Sequence, residues 1–104
     1  IFLDGKLVNA CLVPTLQAQG RNIETVESLA SENALSKIQQ AFLEHGGAQC
    51  GICTPGMLMA ATELLKEKSH PNDKDIREAL AGNLCRCTGY TKIFKSVVEA
   101  LKEQ

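Results

Sequence analysis

The sequence predicts a mainly α-helical protein in which a four-helix bundle follows a short β-structured segment. Before Asn33 the apolar residues come in short runs separated by turn residues, which is typical of strands. From Asn33 onward they recur every three or four residues, and the links between the helical segments are short. No apolar stretch approaches the roughly 18 residues of a membrane span, so a transmembrane protein is excluded.

The first 13 residues predict a β-hairpin that ends at Cys11. Asp4 and Gly5 lie between two apolar runs, which favours a type I′ turn. Residues 14–22 are polar and predict a connection, and residues 23–26 alternate as one more short strand would. A hairpin with no residues leading into it indicates that upstream residues are missing, although a processed N-terminus is the alternative.

The first two predicted helices differ in how their ends are marked. The first covers residues 34–45, where Leu35, Ile38 and Phe42 share one face, and it ends at two glycines. The second begins at Thr54, a good N-cap residue, because proline follows it at the first helical position.

The third and fourth helices complete the predicted bundle. The third begins at Asn72 with a capping box in which Asp75 replaces the usual Glu, and it stops at Gly82. The fourth begins near Thr88, interpreted as another N-cap, and carries apolar residues at helical spacing as far as Leu101.

Composition limits the function. The 104 residues carry 11 Lys and Arg against 12 Asp and Glu, so a nucleic-acid-binding surface is not expected. No Ser/His/Asp set and no phosphate-binding glycine loop is visible, so no catalytic residue is assigned. His45 and His70 are interpreted as solvent-facing or capping residues.

The five cysteines carry the chemistry. Cys50 and Cys53 form a C-x-x-C clip before the second helix, and Cys85 and Cys87 form a C-x-C clip before the fourth. Both spacings place two sulfurs on one side of the chain, the second because side chains in extended backbone repeat every two residues. If the two helices begin at the same end of the bundle, the four thiols converge. Cys11 is left over, so the five cysteines do not form a closed set of disulfides.

Four converging thiols indicate either two disulfides or a metal site. A C-x-C disulfide is strained, which leaves zinc or iron–sulfur, because both accept four thiolates. Zinc sites usually have C-x₂₋₄-C in both halves, whereas here one half is C-x-C and both precede helices. Helix N-termini favour an anionic group. The spacing favours iron–sulfur and leaves zinc open.

Two motifs resemble the small iron–sulfur subunit of the molybdenum hydroxylases, the xanthine dehydrogenase, aldehyde oxidoreductase and carbon monoxide dehydrogenase family. They are residues 49–57 (QCGICTPGM) and 82–90 (GNLCRCTGY), and the similarity extends over essentially the whole chain. Ile52 replaces a common aromatic residue and Ser28 a common glycine, but neither position supplies a ligand. The resemblance implies the C-terminal remnant of a β-grasp plant-type ferredoxin domain plus linker over residues 1–30, and a helical [2Fe-2S]-binding domain over residues 31–104.

The resemblance also implies the site residues. Cys50, Cys53, Cys85 and Cys87 would ligate the cluster of the helical domain. Cys11 would be the last ligand of a second [2Fe-2S] cluster whose other ligands lie upstream of Ile1; the alternative is a simple buried thiol. Gln49 and Cys87 would lie next to the molybdopterin.

The implied role is electron transfer within a multi-subunit oxidoreductase. Electrons would pass from molybdopterin on a large subunit through the clusters toward FAD, usually on a third subunit, or toward another acceptor. The competing hypotheses are a structural Cys₄ zinc module that mediates protein contacts and a free-standing ferredoxin. The cysteine spacings favour a reducing compartment and hence the cytoplasm, with periplasmic export left open because the N-terminus is missing.

Overall fold

The computed structural model describes residues 1–103, which form a small sheet followed by a helical bundle. The strands are β1 (Phe2–Leu3), β2 (Lys6–Leu7) and β3 (Ile23–Glu24). The helices are α1 (Lys37–Glu44), α2 (Thr54–Glu67), α3 (Asp73–Leu80) and α4 (Tyr90–Lys102). The mainly helical fold with four helices predicted from the sequence is confirmed. None of the helices in this part of the chain combines the length and apolarity needed to cross a membrane.

The predicted hairpin forms. Strands β1 and β2 pair antiparallel with Phe2 opposite Leu7, and β3 pairs with the other edge of β1, giving the order β2-β1-β3. Asp4 and Gly5 have φ angles of 50° and 81°, the two positive values that a type I′ turn requires.

Between the hairpin and the helices the chain makes three short 3₁₀ turns that the sequence pattern does not predict: Ala10–Leu12, Thr15–Ala18 and Val26–Leu29. Cys11 therefore lies in a 3₁₀ turn beyond the hairpin.

Helix α1 is shorter than predicted because its capping box overrides the apolar pattern. The side chain of Ser36 accepts from the backbone of Gln39, and the Gln39 side chain accepts from the Ser36 backbone, so the helix begins at Lys37. Leu35 therefore lies outside the helix and is 48% exposed, and its predicted place on the core face is wrong.

The Asn72 capping box of α3 is confirmed. The Asn72 side chain accepts from the Asp75 backbone at 2.9 Å, and Asp75 accepts from the Asn72 backbone at 3.0 Å. The predicted caps at Thr54 and Thr88 are wrong. Helix α2 begins directly at Thr54 after Cys53, and α4 begins at Tyr90, after Gly89.

The core is built between the helices. Helix α1 packs mainly on α4 and α2 mainly on α3, and the side chains between them are almost fully buried: Ile38, Phe42, Met57, Ala61, Ile76, Ile93, Val97 and Ala100. The sheet rests on α2, where the Lys66 ammonium lies 4.2 Å from the centre of the buried Phe2 ring. The starts of α2 and α4 flank the cysteine loops.

Candidate metal centre

Each cysteine clip comes just before a helix, the first before α2 and the second before α4. Cys53 immediately precedes Thr54, and its carbonyl accepts from the Met57 amide at 3.0 Å in the first turn of α2. Cys87 lies three residues before Tyr90, the first residue of α4. Gly51 has a φ of 86° and lets the first loop turn sharply between its two cysteines.

The thiols of the two clips lie within hydrogen-bonding reach of one another. Cys50 pairs with Cys87 and Cys53 with Cys85 across the clips, and Cys85 also reaches Cys87 within its own clip. The sequence-based expectation that both clips converge therefore describes the structure. In residues 1–103 no group of three or more His, Cys, Asp or Glu side chains is arranged to hold a single metal ion.

Backbone amides reach sulfurs of both pairs, and the Cys50 amide also reaches the Cys87 sulfur. The Ile52 amide and then the Cys87 thiol lower the pKa of Cys50, and the Gly89 amide is the first cause of a lowered pKa at Cys85. The pKa values of the other two thiols are raised. Burial and then the Cys85 thiol raise the pKa of Cys53, and the Cys50 thiol raises that of Cys87. The amide contacts at Cys50 and Cys85 favour negative charge on these two sulfurs.

The four sulfurs differ in depth. Cys85 is 8% exposed and belongs to the apolar core, and Cys53 is half-buried against it. Cys50 is exposed and Cys87 is half-buried. Cys85 is therefore the deepest sulfur and Cys50 marks the outward end of the site, whereas Cys53 and Cys87 are both half-buried against the core.

The Gln49 side chain lies beside Gly89 at the start of α4. A Cβ built on Gly89 would lie 3.3 Å from Gln49 Nε2 and 3.6 Å from Cys85 Sγ, so the missing side chain of Gly89 leaves room for both groups. Cys11 is exposed, which contradicts its interpretation as a simple buried thiol.

The two threonines that follow the clips do not cap helices. The hydroxyl oxygen of Thr54 is buried without a hydrogen-bond partner among the described residues, and the Thr88 hydroxyl donates to the Cys87 carbonyl at 2.7 Å. Thr88 has a φ of 57°, a left-handed conformation that is uncommon for a residue other than glycine.

Sequence reasoning missed Tyr90. Its hydroxyl accepts a 2.7 Å hydrogen bond from the Cys85 amide, across the whole second clip. The only signal in the sequence is the position of the chain's single tyrosine, five residues after Cys85.

Comparison with known proteins places this site in a family. A family model described as a [2Fe-2S] binding domain matches residues 25–98, which contain the four paired cysteines and exclude Cys11. The chain belongs to the [2Fe-2S] binding domain family. The resemblance to the small iron–sulfur subunits of xanthine dehydrogenase and aldehyde oxidoreductase-type molybdenum hydroxylases is thereby confirmed.

Individual relatives agree with this assignment. The chain is 53% identical to a probable xanthine dehydrogenase subunit of Bacillus subtilis, over 99% of this chain and 59% of that protein. It is 42% identical to the xanthine dehydrogenase iron-sulfur-binding subunit of Escherichia coli O157:H7, over 98% of this chain and 65% of that protein. The chain therefore spans about three fifths of the length of these curated relatives.

A solved structure confirms the fold. Quinoline 2-oxidoreductase from Pseudomonas putida 86 superposes with a TM-score of 0.90 at 42% identity, over 97% of this chain and 63% of the matched chain.

Proposed function

We propose that this chain is the electron-transfer subunit of a molybdenum hydroxylase. Cys50, Cys53, Cys85 and Cys87 would hold its [2Fe-2S] cluster. The observation that carries the proposal is the pairing of the four thiols, Cys50 with Cys87 and Cys53 with Cys85. A two-iron cluster with four cysteine ligands needs two thiolates on each iron, and each thiol pair would bind one iron.

The surroundings of the thiols fit such a group. Amides of Ile52 and Gly89 point at sulfurs, and donors of this kind stabilise the added negative charge of a reduced cluster. Cys85 packs in the apolar core and keeps water from the inner side. When bound, the cluster supplies one-electron transfer, by which the complex would pass electrons from molybdopterin toward FAD or another acceptor.

The outward end of the site is the proposed point of contact with the molybdopterin-bearing large subunit. Gln49 and Cys87 are the residues that would adjoin the molybdopterin. Ile52, inside the first clip, and Leu84, just before the second, are 85% and 81% exposed. Apolar side chains of this size on either side of the site favour burial against a partner protein.

Cys11 is proposed as the last ligand of a second [2Fe-2S] cluster, with the other ligands upstream of Ile1. Its exposure fits a side chain whose partners lie elsewhere, and residues 1–30 would then be the end of a ferredoxin-like domain. A medium subunit would carry the FAD. The cytoplasm is the proposed compartment, because all five cysteines are free thiols.

Metal analysis and spectroscopy of two serine variants test the ligand assignment. Cys85→Ser should abolish the visible absorbance and the reduced-state EPR signal of the cluster in the helical region, whereas Cys11→Ser should leave both unchanged. Zinc without iron or acid-labile sulfide in the wild-type protein would instead establish the structural zinc module and contradict the proposal.

Isolation from the native host tests the electron-transfer role. A tagged chain should co-purify with stoichiometric molybdenum, and Ile52→Glu combined with Leu84→Glu should lose the molybdenum while keeping the iron. Matched glutamates at two exposed leucines outside the clips, Leu43 and Leu35, serve as the control. An iron-containing chain that purifies alone would establish a free-standing ferredoxin instead.

A further inference from the structure

The second cysteine clip is held to the start of α4 by two hydrogen bonds at Cys85. The sulfur of Cys85 accepts from the Gly89 amide, and the amide of Cys85 donates to Tyr90 Oη at 2.7 Å. Side chain and backbone of one residue are thus both tied to the start of α4. The Ile93 amide donates to the Gly89 carbonyl at 2.9 Å and fixes this start in the first turn of the helix.

The loop that these hydrogen bonds close contains a residue in a strained backbone conformation. Thr88 lies between Cys85 and Tyr90 and has a φ of 57°, which a non-glycine residue keeps only when its surroundings hold it. The Thr88 hydroxyl bonds only to the neighbouring Cys87 carbonyl, which does not close the loop. The Tyr90–Cys85 hydrogen bond does, because it joins the two ends of the strained segment.

We propose that Tyr90 is a positioning residue whose hydroxyl holds the Cys85 loop closed, so that the Gly89 amide stays on the Cys85 sulfur. The inference rests on the proposed function, in which Cys85 is a cluster ligand. Through this amide, Tyr90 sets how tightly the cluster is retained and how strongly its reduced state is stabilised, since hydrogen bonds to ligand sulfurs raise the reduction potential.

Tyr90→Phe isolates the hydroxyl. The ring lies along a groove between α3 and α4, where Arg77 stacks 4.8 Å from the centre of the Phe94 ring, and phenylalanine keeps that packing. Thr91→Val is the matched control, because it removes a hydroxyl from the next residue, which is exposed in the same helical turn.

The experiment uses the native complex and two readouts of the cluster in the helical region. Iron release to a chelator should be roughly tenfold faster in Tyr90→Phe, since tenfold is about 1.4 kcal/mol and an amide without an acceptor commonly costs that much. The midpoint potential in an EPR-monitored titration should be lower than in the wild type and in Thr91→Val.

Two results would overturn the role of Tyr90. One is release and potential equal to those of Thr91→Val. The other is a drop in the thermal unfolding temperature of the iron-free chain that matches the iron loss, because Tyr90 would then stabilise the fold without positioning the ligand. If the wild-type protein contains no [2Fe-2S] cluster, the proposed function itself fails, and that result is read before any variant is made.

Discussion

The helical region (residues 31–103) and the N-terminal region (residues 1–30) bury their apolar residues very differently. In the helical region Leu64 is 6% exposed, and the apolar side chains at the centre of the bundle are buried. In the N-terminal region only Phe2 and Leu3 are buried, whereas Leu12 and Leu16 are 74% and 84% exposed near the exposed Cys11. The helical region supplies its own core, and the N-terminal region leaves most of its apolar side chains exposed.

The difference also separates the cysteines. The four cysteines of the helical region converge because each clip is anchored at the start of a helix whose other residues are packed in the core. Cys11 stands in a 3₁₀ turn with no buried residue in it. The four cysteines thus meet where the surrounding core is packed, and Cys11 lies where it is not, which agrees with the proposal that Cys11 serves a different site.

The largest expected effect comes from replacing a leucine by alanine in each of the two regions. Leu64→Ala should lower the free energy of unfolding by about 2–5 kcal/mol, because it opens a cavity in the core. Leu16→Ala should change it by less than about 0.5 kcal/mol, because the side chain is exposed. Urea unfolding followed by circular dichroism measures both. Equal losses of unfolding free energy in the two variants would contradict the difference in burial between the regions.

Gly47→Ala should show that tight packing in the helical region extends into its loops. A Cβ there would lie 2.7 Å from Ser96 Oγ and 2.8 Å from Phe42 Cδ1, and both side chains are buried. We expect a loss of about 1–3 kcal/mol from overpacking. Gly82→Ala, where nothing lies within 4 Å of the new atom, is the control. A neutral Gly47→Ala would mean that α1 and α4 adjust freely.

Helix capping gives a smaller and more local difference. Asn72→Ala removes the acceptor for the Asp75 amide and should cost about 1 kcal/mol. Asn9 precedes the Ala10–Leu12 turn of the N-terminal region without a side-chain cap, so Asn9→Ala should cost almost nothing. Thermal unfolding of the two variants measures the difference. A larger loss at Asn9 would show a role for that side chain beyond capping.

The smallest expected effect is the pH dependence of two surface carboxylates. Lys68 lowers the pKa of Asp75 and Arg21 lowers that of Asp4, each through a hydrogen-bonded ion pair. A lowered folded-state pKa stabilises the protein above the ordinary value of about 4, and this stabilisation is lost as the pH falls below it.

Stability measured from pH 6 to pH 3 should therefore fall less steeply in Asp75→Asn than in the wild type. Asp4→Asn should leave the unfolding of the helical region unchanged, because Asp4 pairs only within residues 1–30. An unchanged slope in Asp75→Asn would show that its ion pair is screened by solvent.

Much of this protein was determined by local sequence. The Asp4-Gly5 turn, the Asn72 capping box and the four helices follow from residues a few positions apart, because turn geometry and helical period are local properties. The clips were recognisable for the same reason, since the spacing of Cys50 and Cys53 is a local feature.

Tertiary structure decided what depends on distant contacts. The pairing of Cys50 with Cys87 and Cys53 with Cys85, and the burial of Cys85 while Cys50 stays exposed, depend on how α2 and α4 pack. The failure of Thr54 as a cap was also decided by the folded chain, where its hydroxyl oxygen is buried without a hydrogen-bond partner among the described residues. A sequence states which groups are available, and only packing brings a sulfur, an amide or the Tyr90 hydroxyl within bonding distance.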